Sequence, residues 1–140
     1  MKRRVFREAG VTLTLVDRGT HVELTIGDVP ILTSALLGTE RDFGRLAPKS
    51  AKRVLVGGLG FGSTVLGVLD RVGPAQRVLV AEKLRTVVGL CRERAPAAMD
   101  DPRVQIVRAD GADVIARDKN LDAILVDFDN GPGWASFRKN

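Results

Sequence analysis

Short apolar segments alternate with helical segments through the second half of the chain, and this alternation restricts the possible folds more than any other feature. The apolar segments span residues 53–58, 77–82, 103–110 and 121–128. Between them, apolar residues recur at helical spacing. Strands that are apolar throughout and separated by helices form parallel sheets covered on both faces. The sequence therefore predicts an α/β core with a parallel sheet.

The first third of the chain has a pattern typical of antiparallel strands. Residues 11–27, VTLTLVDRGTHVELTIG, alternate apolar and polar side chains on both sides of DRGT, which predicts a β-hairpin with Gly19 in its turn. A further short strand is expected from Pro30, followed by a helix over 39–47 with Thr39 as its N-cap.

The chain length suits a small cap and one core. A second full domain does not fit into 140 residues. We expect the β-rich cap and its linking helix to span residues 1–50, and the parallel-sheet core to span 51–140.

Composition argues against several classes of protein. No run approaches the roughly 20 apolar residues of a membrane helix, and MKRRVFREAG lacks the apolar segment of a secretory signal. The single cysteine, Cys91, excludes an intrachain disulfide, and with the single histidine, His21, it argues against a zinc site. We therefore expect a cytoplasmic protein with no metal and no membrane contact.

The net charge is compatible with an anionic partner but does not require one. The formal charge is +5, yet the basic residues are scattered, with local runs only at 2–4 and 92–95. A solvated basic surface is the commoner cause of such a charge, so a nucleic-acid partner is the less favoured interpretation.

A glycine-rich loop lies between the first parallel strand and its helix. In VLVGGLGFGST, residues 54–64, four of six consecutive positions are glycine. Open α/β sheets bind ligands at the carboxyl ends of their strands, and there Gly58, Gly60 and Gly62 would let the backbone approach a nucleoside or phosphate. Tight turns alone also recruit glycine, so the loop by itself is a weak signal.

Acidic residues follow the other parallel strands at equivalent positions. Glu82 ends the second strand, about 20 residues after the loop, where nucleoside-binding folds place an acid on the ribose hydroxyls. Asp110, followed by Gly111, ends the third strand. Asp127 ends the fourth, with Asp129 close behind. These acids predict one crevice that binds a small-molecule nucleoside ligand.

Each acid also has a purely structural alternative. Glu82 could pair with Arg85, Asp110 could cap the following helix, and Asp127 could stabilise a turn. Together with the glycine loop, the ligand interpretation is favoured. The loop lacks the third glycine of the dinucleotide fingerprint, so a cofactor with adenosine and an amino-acid-like arm fits better than a pyrophosphate dinucleotide.

These segments resemble the class I S-adenosylmethionine-dependent transferases, and within them the spermidine/spermine synthase-like family. ILTSALLGTERDFGRLA is similar to the family's cap-to-core segment and GLGFGSTVLGVL to its glycine loop. VAEKLRTVVGLCR and DPRVQIVRADGADVI are similar to its ribose and adenine segments. The resemblance implies a Rossmann-like core with S-adenosylmethionine, or its decarboxylated form, as co-substrate.

The resemblance also implies roles for the predicted site residues. Glu82 would hold the ribose hydroxyls, and Asp110, with Gly111 beside it, the adenine amino group. The glycine loop would pass along the methionine-like arm. Asp127 or Asp129 would bind the amino group of the cofactor or accept a proton.

Three features depart from the family pattern. The synthases carry an aspartate for the aminopropyl arm where this chain has Phe61, and in an ungapped match Asn130 stands in the position of the general base. The chain has no tyrosine, whereas the synthases use tyrosines to position the polyamine. The resemblance therefore supports nucleoside binding more than aminopropyl transfer.

The family sheet has seven strands, with the fourth beside the first. This sequence ends soon after its fourth strand, so we expect the core to lack the last strands and segment 121–128 to form a bare edge. Bare strand edges pair with other chains. We expect a homo-oligomer formed at this edge, or else a shortened chain.

Three functional hypotheses follow from these observations. The favoured one is a spermidine synthase-like transferase that moves a group from the sulfonium carbon to a nucleophile, mostly by positioning the reactants. The second, favoured by Phe61 and the basic charge, is a methyltransferase acting on a small molecule or RNA. The third, favoured by Asn130, the absence of tyrosine and the missing strands, is a non-catalytic binding or assembly module.

Overall fold

The computed structural model describes residues 2–126, which form two compact units. Among these residues, the first unit covers 2–36 and the second 37–126. Each unit contains one four-stranded sheet.

The first unit is an antiparallel sheet whose strands follow one another in chain order. They are β1 (Lys2–Glu8), β2 (Val11–Asp17), β3 (Val22–Ile26) and β4 (Val29–Thr33). The predicted hairpin is β2 with β3, and Gly19 lies in its turn with φ of 87°. The expected strand around Pro30 is β4. The sequence did not predict β1, because the basic and largely exposed side chains of this strand show no apolar alternation.

The second unit is built around a parallel sheet in the order β7-β6-β5-β8. Its strands are β5 (Arg53–Gly57), β6 (Arg77–Ala81), β7 (Val104–Val107) and β8 (Ala123–Val126). The fourth parallel strand of the chain therefore lies beside the first, as the resemblance implied. Within residues 2–126, β8 has a neighbouring strand on one side only. The pairing of this edge with a second copy stays a prediction.

Five helices accompany the parallel sheet in the described residues: α1 (Leu37–Gly44), α2 (Ser63–Leu69), α3 (Arg85–Arg94), α4 (Pro96–Met99) and α5 (Gly111–Arg117). The short α4 was not predicted. The expectation that Thr39 is the N-cap of the first helix is wrong, because α1 begins at Leu37. The chain turns earlier, where the Ala35 N–H donates to Thr33 Oγ1 at 3.1 Å.

The core of the second unit lies where the helices cover β5 and β6. Val54, Leu55, Val78 and Val80 are completely buried, which explains why both strands are apolar throughout. Cys91 of α3 is also completely buried. Burial raises the pKa of its thiol to about 11, so the thiol is protonated at neutral pH.

Asp70 connects α1 to the end of α2. Arg41 donates two hydrogen bonds to its carboxylate, from Nε to Oδ2 at 2.9 Å and from Nη2 to Oδ1 at 3.0 Å. Arg45 donates a third, from Nε to Oδ2 at 2.9 Å. The two hydrogen bonds from Arg41, more than the one from Arg45, lower the pKa of Asp70 from 3.8 to about 2.

We expect Asp70→Asn to lower the free energy of unfolding by about 1 kcal/mol at neutral pH, because both arginines lose a charged partner. A carboxyl with a lowered folded-state pKa stabilises the fold above its unfolded pKa and loses this contribution as pH falls through the folded value. The difference between wild type and variant should therefore disappear between about pH 4 and about pH 2.

Urea denaturation at several pH values measures this difference. Asp42→Asn is the matched control, because Asp42 also bonds to Arg45, at 3.1 Å, but its side chain is 75% exposed. An equally large and equally pH-dependent loss in the control would show that the bonds between Asp70 and the two arginines are not the cause.

Candidate functional site

The carboxyl ends of β5, β6 and β7 lie level with one another and form the candidate site. Gly57 pairs with Ala81, and Ala81 pairs with Val107, so the residues after each strand share one edge of the sheet. Two backbone hydrogen bonds extend this alignment, from Gly58 N to Ala81 O at 2.8 Å and from Glu82 N to Val107 O at 3.0 Å. Parallel sheets bind ligands at this edge.

The three predicted loop glycines adopt backbone angles that side chains rarely tolerate. The angle φ is 98° at Gly58, 54° at Gly60 and 89° at Gly62. A Cβ atom added to Gly58 would meet no other atom within 4 Å, whereas one added to Gly62 would lie 2.9 Å from Cys91 Sγ. Gly62 is therefore needed for packing against α3, and Gly58 has the open side that a ligand could approach.

Phe61 belongs to the packed interior of the unit. Its side chain is 5% exposed, and the Arg94 guanidinium lies 5.8 Å from the centre of its ring. The other residues of the loop, 58–62, are glycines and a leucine, so the loop has no charged side chain that could contact a ligand.

The carboxylate of Glu82 connects the glycine loop to the start of α3. Its Oε1 accepts a hydrogen bond from Leu59 N and its Oε2 accepts one from Leu84 N, both at 3.0 Å. Carboxylate oxygens keep further lone pairs after such bonds, so this group can also accept hydrogen bonds from two hydroxyls. The predicted ribose acid thus lies against the glycine loop, and its ribose contact stays a prediction.

Asp110 caps α5 and pairs with Lys83. Its Oδ1 accepts a hydrogen bond from Ala112 N at 3.1 Å, which is the helix-capping alternative, and Lys83 Nζ lies 3.3 Å from its Oδ2. The Ala112 N–H and, to a smaller extent, Lys83 lower the pKa of Asp110, so the carboxylate is charged at neutral pH. The neighbouring Gly111 lies beside β5, since a Cβ atom added to it would be 3.7 Å from Gly57 Cα.

Lys83 and Arg108 also lie at this site, although the sequence did not predict them. Arg108 donates two hydrogen bonds to the carbonyl oxygen of Lys83, at 3.0 Å and 3.3 Å. A lysine after a strand carries no signal of its own, because its pairing with Asp110 depends on the alignment of β6 with β7. Asp127 and Asp129 lie outside the described residues, so their catalytic roles stay predictions.

Among residues 2–126, no group of three His, Cys, Asp or Glu side chains is placed to hold a metal ion. In the same part of the chain, no helix has the length and apolar character needed to cross a membrane.

Curated relatives of the chain are polyamine aminopropyltransferases, while no protein-family model matches it. Polyamine aminopropyltransferase 2 of Pseudomonas aeruginosa is 33% identical over 103 residues, covering 67% of this chain and 29% of the relative. Polyamine aminopropyltransferase 1 of the same organism is 34% identical over 102 residues, covering 68% of this chain and 35% of the relative. The polyamine aminopropyltransferase of Hamiltonella defensa is 31% identical, with 89% and 50% covered. The chain thus spans about a third to a half of the length of these relatives.

Solved structures with the same fold include spermidine synthases and a methyltransferase. Spermidine synthase of Thermotoga maritima matches with a TM-score of 0.69 and 22% identity, covering 88% of this chain and 46% of that structure. A spermidine synthase in complex with the transition-state analogue AdoDATO matches with a TM-score of 0.69 and 20% identity, with 88% and 45% covered. A methyltransferase from Geobacter sulfurreducens matches with a TM-score of 0.53 and 21% identity, covering 78% of this chain and 57% of that structure. The predicted fold class, a Rossmann-like transferase core with a β-rich cap, is confirmed.

Proposed function

Because this chain is a relative of the polyamine aminopropyltransferases and has the fold of spermidine synthase, we propose that it binds S-adenosylmethionine or decarboxylated S-adenosylmethionine as the co-substrate of a transferase. The observation that carries the proposal is the joint position of Gly58, Glu82 and Asp110 at one edge of the parallel sheet. An open backbone beside two carboxylates on neighbouring strands suits the parts of an adenine nucleoside.

Each part of the co-substrate has a partner in this proposal. Glu82 accepts hydrogen bonds from the ribose hydroxyls, and the charged Asp110 accepts one from the adenine amino group. Gly58 leaves space for the arm that carries the sulfonium. Displacement at the sulfonium carbon then depends mostly on positioning the acceptor, and Asp127 or Asp129 binds the amino group or accepts the proton.

Methyl transfer is the second candidate activity, and the burial of Phe61 favours it. An aminopropyl arm ends in an ammonium, and the glycine loop has no acidic side chain to pair with it. S-adenosylmethionine carries an ammonium on this arm as well, but its carboxylate, which the decarboxylated form lacks, leaves the end of the arm with no net charge to pair. A preference between the two sulfonium compounds therefore separates the two activities.

Isothermal titration of the full chain with S-adenosylmethionine, its decarboxylated form and methylthioadenosine tests the proposal. We expect dissociation constants on the order of micromolar for at least one of them. Methylthioinosine is the matched control ligand and should bind more weakly, because its base has no amino group for Asp110. Tighter binding of the decarboxylated form would support aminopropyl transfer, and tighter binding of S-adenosylmethionine would support methyl transfer. If none of the three compounds binds, the proposal is wrong.

A further inference from the structure

Lys83 occupies the side of Asp110 that a nucleobase would need. Asp110 Oδ1 accepts the N–H of Ala112 at the start of α5, whereas Oδ2 lies 3.3 Å from Lys83 Nζ. Because Oδ1 is used by the helix cap, Oδ2 is the oxygen left for an amino group of a ligand. In the free protein, the ammonium of Lys83 is bound to that oxygen.

The backbone around Lys83 is held on both sides, so its side chain is the part that can move. Arg108 bonds to the carbonyl oxygen of Lys83 at 3.0 Å and 3.3 Å, and Glu82 accepts the N–H of Leu84 at 3.0 Å. The Lys83 side chain is 59% exposed and that of Asp110 50%. The ammonium can therefore leave the carboxylate for water without a backbone change, and an exposed ion pair of this kind is weak.

We propose that Lys83 competes with the nucleobase for Asp110 and thereby sets the affinity and the salt dependence of nucleoside binding. This inference rests on the proposed function, since it assigns Lys83 a role at the same site. When the base binds, its amino group takes the place of the ammonium on Oδ2, and the ammonium moves into solvent. Lys83 then acts on the ligand only through Asp110. It weakens nucleoside binding by the free energy of the Lys83–Asp110 ion pair, which must break when the base binds.

The competition predicts an unusual response to salt. A neutral ligand such as methylthioadenosine has no net charge for salt to screen, whereas salt weakens the Lys83–Asp110 pair that must break. Its affinity for the wild-type protein should therefore rise by about two- to fivefold between low and high ionic strength. A lysine that only supports the local structure would not produce this rise.

Isothermal titration of methylthioadenosine at about 20 mM and about 500 mM sodium chloride tests the inference. We expect Lys83→Met to bind about two- to fivefold more tightly than wild type at low salt and to lose most of the salt response. Lys83→Arg keeps the charge and should restore the wild-type behaviour. Lys119→Met is the matched control, because Lys119 is an exposed lysine of the same unit away from the site, and it should match wild type.

The outcomes separate this inference from the proposed function. If wild type binds the nucleoside but Lys83→Met has the same affinity and the same salt response, the competition does not exist and the nucleoside site stands. Weaker binding by Lys83→Met would also overturn the inference, because Lys83 would then contact the ligand favourably. If neither protein binds, the nucleoside site itself is wrong, and the inference is wrong with it.

Discussion

Gly67→Ala is expected to destabilise the protein by about 3 kcal/mol or more. Gly67 lies in α2, where this helix crosses α1. A Cβ atom at this position would overlap the carbonyl oxygen of Arg41 and lie 2.9 Å from Gly44 Cα. These neighbours are backbone atoms, which cannot change rotamer as a side chain can, so the two helices would have to separate. Urea denaturation of the variant measures the loss.

Gly89→Ala is the matched control for this substitution. Gly89 also lies inside a helix, α3, but a Cβ atom there would meet nothing within 4 Å. Alanine has a higher helix propensity than glycine, so this variant should be more stable than wild type by roughly 0.5–1 kcal/mol. Both substitutions gain helix propensity, so the opposite sign expected for Gly67→Ala comes only from the overlap of its Cβ atom with α1. Wild-type stability in Gly67→Ala would contradict the close crossing of α1 and α2.

Glu82→Gln is expected to weaken nucleoside binding by at least about a hundredfold. The carboxylate accepts N–H bonds from Leu59 and Leu84, and in the proposed complex it also accepts two ribose hydroxyls. A glutamine amide has one accepting oxygen and one NH₂ donor. In either orientation, the NH₂ group would face one of the two backbone N–H groups. The variant therefore loses both the charge and the bond that holds the glycine loop.

Titration with the tightest-binding nucleoside, combined with urea denaturation, separates these two effects. We expect Glu82→Gln to lose about 1–2 kcal/mol of stability and still fold, so that binding can be measured on a folded protein. Glu93→Gln, an exposed glutamate on α3 of the same unit, controls for the loss of one negative charge and should bind as wild type does. If folded Glu82→Gln kept wild-type affinity, Glu82 would not contact the ribose.

The candidate site was predicted only in part, and its glycines and acids show why. The glycine spacing and the acids at strand ends placed Gly58, Glu82 and Asp110 at one edge, because the carboxyl ends of parallel strands share an edge. The sequence did not separate Gly58, which is open, from Gly62, which packs against Cys91. That difference depends on the position of α3. The sequence also did not predict the hydrogen bonds that Glu82 accepts from the backbone N–H groups of Leu59 and Leu84, because they depend on how the glycine loop folds back.

The sequence by itself determined the class of the fold and most of its elements, but not β1 or α4. The continuous apolar segments specify buried parallel strands, and the alternation in residues 11–27 specifies a hairpin, because burial on one or both faces of a strand dictates which positions are apolar. The tertiary structure alone decided which side chains meet: Lys83 with Asp110, and Arg41 with Asp70. These contacts depend on strand register and helix crossing. Both are set by the packing of the whole unit, whereas local sequence patterns report only the burial of each element.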